Sequence, residues 1–169
     1  GCQVTPGFIE SHTHYDGTMW WQPDLDPLPG YGATTMILGN CGFSPAPLHK
    51  YMPAQREMVG IFSFFEDIPM EPFLTNLPWD WNKWSEYKAS VEKNVKVPLN
   101  YAAYVGHIAI RLAAMGVEAW ERKATPEEIA KMAELLDDAL AAGALGLSDN
   151  LHDHDGTNRP VPTMMACDD

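Results

Sequence analysis

Apolar positions along this chain fall into short runs and helical stripes that alternate. Phe8 to His14, entered through Val4-Thr5-Pro6-Gly7, reads as a first strand, and Thr34-Thr35-Met36-Ile37-Leu38 as a second, ending in Gly39-Asn40-Cys41-Gly42. Leu99 to His107, rich in Tyr, Ala and Val, reads as a third, and Ala144-Leu145-Gly146-Leu147-Ser148 as a short fourth. Brief apolar or β-branched runs bounded by Gly, Pro and Asn have this character. A helical stripe is plainest after Thr125-Pro126-Glu127-Glu128, which offers a Thr N-cap, Pro at the first helical position and Glu three residues after the cap. Ile129, Met132, Ala133, Leu136, Ala139 and Leu140 then recur at helical spacing, and Gly143 supplies a stop. Arg56 to Phe65 and Ser85 to Val95 are further helical segments. Between them, residues 69 to 84 carry Pro69, Pro72, Pro78, Trp79, Trp81 and Trp84, a composition that predicts a long ordered loop. Strands alternating with helices predict an α/β chain built on a parallel sheet, with no internal repeat or low-complexity tract.

Placing His12-Thr13-His14 at a strand end puts both imidazoles on one face, because side chains alternate along a strand. Two neutral imidazoles on one rigid edge make half of a transition-metal site. Neighbouring parallel strands end side by side, so Cys41 would approach the pair from the second strand. Gly39 and Gly42 let the backbone turn sharply there. A thiolate with two imidazoles suits Zn²⁺ over Mg²⁺ or Ca²⁺. The plainer alternatives are a small buried thiol and two core histidines bonded to backbone. His107, at the end of the third strand, and Arg111 read as substrate contacts or as loop anchors. His152 and His154 form a second His-x-His in a polar loop and read as solvated, while His49 has no supporting context. The tryptophan-rich stretch reads as packing over a rim, or as the wall of an acyl-group pocket.

Composition narrows the partners. The 169 residues, 46% hydrophobic and 11% aromatic, suit one soluble core. A net charge of −12 argues against nucleic acid or an anionic membrane as partner. No run is long and apolar enough to span a bilayer, and the first residues carry no signal-peptide pattern. Cys2, Cys41 and Cys167 are too sparse and uneven for a disulfide framework, which points to a reducing, cytoplasmic setting.

Taken together, Pro6-Gly7-Phe8-Ile9-Glu10-Ser11-His12-Thr13-His14 and Gly39-Asn40-Cys41-Gly42 resemble the N-acyl-D-amino-acid deacylases (D-aminoacylases) of the amidohydrolase superfamily. Glu66-Asp67-Ile68-Pro69, Pro78-Trp79-Asp80-Trp81, Gly106-His107 with Arg111, Ala124 to Glu128, and Gly143 to Gly146 extend the likeness along the chain. Most amidohydrolases bridge two metals with a carboxylated lysine from strand four. Here Gly146-Leu147-Ser148 offers none, whereas a cysteine on strand two is the deacylase signature.

The resemblance implies a (β/α)₈ barrel with a small β-sandwich made from the chain ends. It also implies zinc-dependent hydrolysis of N-acyl-D-amino acids to a D-amino acid and a carboxylate. His12, His14 and Cys41 would be metal residues for one or two zinc ions, which lower the pKa of a bound water and polarise the amide carbonyl. The family's remaining metal histidines, on strands five and six, and its catalytic aspartate, on strand eight, would lie beyond Asp169. A whole barrel takes about 250 residues. The expected organisation is therefore residues 1–7 as the lead-in from the sandwich and 8–169 as the first half of the barrel, about four βα units. Such a fragment needs the missing C-terminal half as its partner and is expected to be inactive alone. Related cyclic-amide hydrolases or deaminases, and a half-barrel that only binds metal or a partner, are the alternatives. Residues 148 to 166 depart from the family pattern.

Overall fold

The central strand is the apolar run Ala33–Leu38 (β2), whose Ala33, Met36 and Leu38 are buried while Thr34 faces outward. In this computed structural model, residues 1–48 and 52–166 are described; His49 and Cys167 lie outside the described residues. Phe8–Glu10 (β1) pairs with β2 in parallel, Phe8 opposite Ala33 and Glu10 opposite Met36, with an irregularity between Phe8 and Ile9. On the other side Asn100–Ala103 (β3) runs parallel to β2, from Thr35 opposite Asn100 to Leu38 opposite Ala103. The third strand then breaks at Tyr104, whose N–H donates to Leu38 O at 3.0 Å. It resumes as Val105–Gly106 (β4), which pairs in parallel with Leu147–Ser148 (β5). Leu145 N donates to Ala103 O (2.9 Å) and Val105 N to Gly146 O (3.0 Å), so the fourth strand lies along both halves of the third. Four segments thus run parallel in chain order; α-helices join the later ones, as the alternation predicts, whereas β1 and β2 are joined by a loop with two short 3₁₀ turns, Thr18–Trp20 and Pro29–Tyr31. Residues 1–7 carry no regular element and are exposed.

Met52–Glu66 (α1), Trp84–Asn94 (α3) and Pro126–Ala142 (α5) occupy the three predicted helical stretches. The start of α5 is locally determined. Thr125 Oγ1 accepts from Glu128 N (3.3 Å), a Glu128 carboxylate oxygen accepts from Thr125 N (2.8 Å), and Gly143 ends the helix at φ +103°. The apolar stripe is only partly covered: Leu135 and Ala139 are buried, whereas Ile129 and Leu140 are about half exposed.

The structure corrects three expectations. Residues 69–84 are not all loop, because Met70–Asn76 forms a helix (α2). Pro72 sits in its first turn, where a missing N–H costs no helical bond, and Phe73 anchors it at 0% exposure. Pro78 holds Leu77 extended and ends the helix. Second, β1 stops at Glu10, so His12 and His14 follow the strand rather than belong to it. Third, His107 is the first residue of a helix, His107–Met115 (α4), and not the last of a strand. The tryptophans pack as expected for a covering segment. Trp81 is buried, donates to Pro45 O at 2.9 Å and touches Trp20, Trp79 and Tyr87.

After β5 the chain is tied back onto α1. Asp155 accepts from Thr157 N and Oγ1 and from Arg159 N and Nε, while Arg159 also pairs with Glu57 and lies 4.0 Å over the Trp120 ring. Burial pushes the Asp155 carboxyl up, but the hydrogen bonds from Thr157 and Arg159 outweigh it and hold the group at about 2, below its ordinary 3.8. A depressed folded-state pKa contributes stability that is complete above the unfolded value and disappears as pH falls through the folded one. The Arg159 Nε–H resonance should therefore be constant from pH 7 to about pH 5 and lose its bonded shift between about pH 4 and 2. A titration centred above pH 5 would contradict this clasp.

Candidate metal centre

Beyond β1 the chain still runs beside β2, because Thr13 N and Thr13 Oγ1 both bond Ile37 O, at 3.1 and 2.8 Å. Thr13 therefore points inward, at 6% exposure, and His12 and His14 on either side of it turn the other way. Their Nε2 atoms lie 3.3 Å apart. Cys41 comes from the turn after β2 with φ +54°, and its Sγ is 3.2 Å from His12 Nε2. The two ring nitrogens and the sulfur all fall within 4.8 Å of one another, and they form the single such group among the described residues.

This donor set fits a transition-metal ion. Ligands around a tetrahedral zinc, with bonds of about 2.0 Å to nitrogen and 2.3 Å to sulfur, are separated by roughly 3.3 to 3.6 Å. The 3.3 and 3.2 Å separations match that scale, and the whole set lies within 4.8 Å. Burial, then the nearby His12, lowers the His14 pKa from 6.5 to about 4, so its imidazole is neutral at pH 7 and its lone pair is available. Burial, then Glu66 and Asp153, pushes the Cys41 thiol up. The thiol thus keeps its proton until a cation competes for the sulfur, and metal uptake at this site must release protons.

Glu66, at the C-terminal end of α1, places Oε1 3.4 Å from His14 Nε2 and shares with it a cleft of about 280 Å³ that Tyr15, Thr18 and Gln22 also line. Burial raises its pKa, the charge of His12 opposes this, and Asp153 adds to it. Asp16 is 1% exposed, and burial pushes its carboxyl up to about 7. Neither residue stands out as a site residue in the sequence. Asp16 lies in the turn after His14, where strand alternation has ended, and Glu66 is brought in by the packing of α1.

The other expected residues are placed elsewhere. His107 Nδ1 bonds Asp149 Oδ1 at 3.0 Å at the start of α4. Arg111 is 1% exposed, and its guanidinium donates to the carbonyl oxygens of Ala119 (3.1 Å) and Arg122 (3.4 Å). Both residues line a cleft of about 280 Å³ with Met132, Leu136 and Leu147. His152 and His154 are exposed; His154 lies edge-on to Phe64 and Phe65. No helix among the described residues is long and apolar enough to cross a membrane.

Comparison with known proteins extends these observations. A family model described as an amidohydrolase family matches residues 1–159. An N-acyl-D-aspartate deacylase of Alcaligenes xylosoxydans xylosoxydans is 38% identical over 149 residues, which are 88% of this chain and 26% of that protein. A D-aminoacylase structure, solved to address the role of its binuclear metal centre, superposes with a TM-score of 0.70 at 32% identity, covering 96% of this chain and 29% of the other. An N-acyl-D-glutamate deacylase from Bordetella bronchiseptica, complexed with zinc and a phosphonate mimic of the tetrahedral intermediate, gives 0.65 at 32% identity, covering 86% and 27%. The chain spans less than a third of the length of the relatives it matches.

Proposed function

Because this chain belongs to the amidohydrolase family, we propose that it is the first half of a (β/α)₈ barrel whose complete form hydrolyses the amide bond of N-acyl-D-amino acids with zinc. The convergence of His12, His14 and Cys41 carries this reading. Support comes from the fourth strand, where Gly146-Leu147-Ser148 offers no lysine and so leaves Cys41 as the anionic protein ligand. Four parallel strands in chain order, with β1 and β5 as open edges, suit half of a closed barrel. The exposed Phe8, Ile9, Leu145 and Leu147 at those edges are the surface that the second half would cover. Residues 1–7 would then lead in from a small β-sandwich, and the two cleft residues His107 and Arg111 would sit behind the substrate site.

A zinc ion held by His12, His14 and Cys41 would supply Lewis acidity toward the scissile carbonyl. The chain's own residues set the conditions for it. His14 offers a neutral imidazole at working pH, and the thiol of Cys41 surrenders its proton only to a competing cation. Glu66 faces the same ring nitrogen and adds negative charge beside the site, which favours retention of a divalent ion. The proton-transferring carboxylate is expected from the second half of the barrel. A reducing cytoplasm would keep Cys41 free, as it is here.

The deciding assay presents the zinc-loaded, full-length protein with N-acetyl-D-methionine, N-acetyl-L-methionine and a hydantoin. Release of D-methionine, with the L-substrate and hydantoin left intact, is the expected result. Turnover of the hydantoin alone would replace the deacylase reading with a cyclic-amide hydrolase.

A further inference from the structure

Cys41 occupies a backbone conformation that its own residue type disfavours. Gly39, Cys41 and Gly42 have φ of +71°, +54° and +74°, and a left-handed non-glycine residue costs about 1 kcal/mol. One local bond, Phe43 N to Asn40 O at 2.9 Å, closes the turn. Four further backbone groups of this turn, the N–H and C=O of Gly39 and of Gly42, are bonded from outside it. Asp16 Oδ1, two residues beyond His14, accepts from Gly39 N at 2.9 Å. Ser148 Oγ, on β5, accepts from Gly42 N at 3.0 Å and donates to Gly39 O, so one hydroxyl spans the turn. Gly42 O accepts from Ile108 N on α4 at 3.1 Å. In the reverse direction, Asn40 Nδ2 donates to Thr13 O (3.2 Å) and Ile37 O (3.0 Å), with its side chain buried at 7% exposure.

We propose that Ser148, with Asp16 and Asn40, positions the Cys41 thiol: the three side chains lock the Gly39–Gly42 turn so that the sulfur faces His12 before any metal arrives. This rests on the metal reading above and deepens it. The strand-four residue here supplies no ligand; its hydroxyl instead braces the loop of strand two that does. Asp16 and Asn40 exchange hydrogen bonds between the histidine segment and the cysteine turn, so the two halves of the donor set are held to one another directly. Buried side chains that orient ligands in this way change metal affinity about as strongly as some ligands do, by about 10- to 100-fold.

Positioning and simple stabilisation separate experimentally. In the full-length protein with every cysteine except Cys41 replaced by serine, two quantities are read: the thiolate-to-cobalt charge-transfer absorption on titration with Co²⁺, and the alkylation rate of Cys41 by iodoacetamide without metal. Ser148→Ala should weaken cobalt binding about tenfold and speed alkylation about fivefold. Ser148→Thr, which keeps the hydroxyl, should restore both. Asn40→Asp, which keeps the shape and loses the donor, should match Ser148→Ala and carries the test if the latter does not fold. A lowered melting temperature with a wild-type absorption band and alkylation rate would overturn the proposal, as would a failure of Ser148→Thr to restore them. A parent protein that shows no cobalt band counts against the metal reading instead, and the alkylation ratios still decide the positioning.

Discussion

Cys41→Ala should lower zinc affinity of the full-length protein by about 100-fold or more and remove most amide hydrolysis, while Cys2→Ala leaves both unchanged. The argument is one of charge and shape. An imidazole that binds through its lone pair is an uncharged ligand, so the thiolate is the one anion among the three donors. Deleting it leaves two imidazole nitrogens 3.3 Å apart, with the nearby Glu66 and Asp153 carboxylates outside the donor set to offset a dication. Alanine meets the same φ of +54° as cysteine does, so the turn loses no conformational preference and the fold should survive. Cys2 is exposed and belongs to no such group, which makes it the internal control. Competition with a chromophoric chelator reads the affinity, and D-methionine release from N-acetyl-D-methionine reads the activity. Equal values for the two variants would remove Cys41 from the site. The raised thiol pKa adds a direction: metal uptake displaces a proton, so wild-type affinity should climb with pH through the neutral range, and Cys41→Ala should flatten that climb.

How much of this is legible in the sequence depends on whether the cause is local. The start of α5 can be read from Thr125, Pro126 and Glu128, because a capping box is an interaction within four residues. The apolar runs of the strands and their parallel arrangement can be read for a similar reason, since alternation with helices leaves few other topologies. His12, His14 and Cys41 stand out as a group, although one step of the reasoning changes. The histidines converge not as members of a strand but because Thr13 continues to bond Ile37 after β1 has ended. The break at Tyr104 is hidden, because it is set by partners on both sides, Leu38 and Gly146. The same holds for α2, whose Phe73 is held by Phe62, Trp21 and Trp79 from elsewhere in the chain, against a sequence context rich in helix breakers. A cationic residue near a histidine invites a substrate-binding reading of Arg111, and no local signal shows that its guanidinium donates to the carbonyl oxygens of Ala119 and Arg122. The braces Asp16 and Ser148 bond residues far away in sequence, at Gly39 and Gly42, and no spacing rule reaches across that separation.

Gly39→Ala should destabilise the fold by roughly 3–5 kcal/mol, while Gly30→Ala should lie within about 0.5 kcal/mol of the parent. Gly39 is the residue at which β2 hands over to the cysteine turn, and it is squeezed from two directions. Its φ of +71° penalises any Cβ. A Cβ built there would also stand 2.2 Å from the carbonyl oxygen of Tyr104, a backbone atom that cannot rotate away. That oxygen belongs to the residue at which the third strand breaks, and Tyr104 N is bonded to Leu38 O, so yielding means prising β3 from the end of β2. The cost then spreads to the bonds Gly39 makes with Asp16 and Ser148, and through them to the direction of the Cys41 sulfur. Gly30, in the short 3₁₀ turn Pro29–Tyr31, has nothing within 4 Å of the position a Cβ would take and no left-handed φ, so alanine there only trims unfolded-state freedom. Urea unfolding of the two variants beside the parent measures the contrast, and cobalt binding by whatever fraction of Gly39→Ala remains folded should be weakened as well. A Gly39→Ala protein as stable as Gly30→Ala would mean that the turn and the third strand can separate without cost, and the close approach of Gly39 to Tyr104 would lose its place in holding the site.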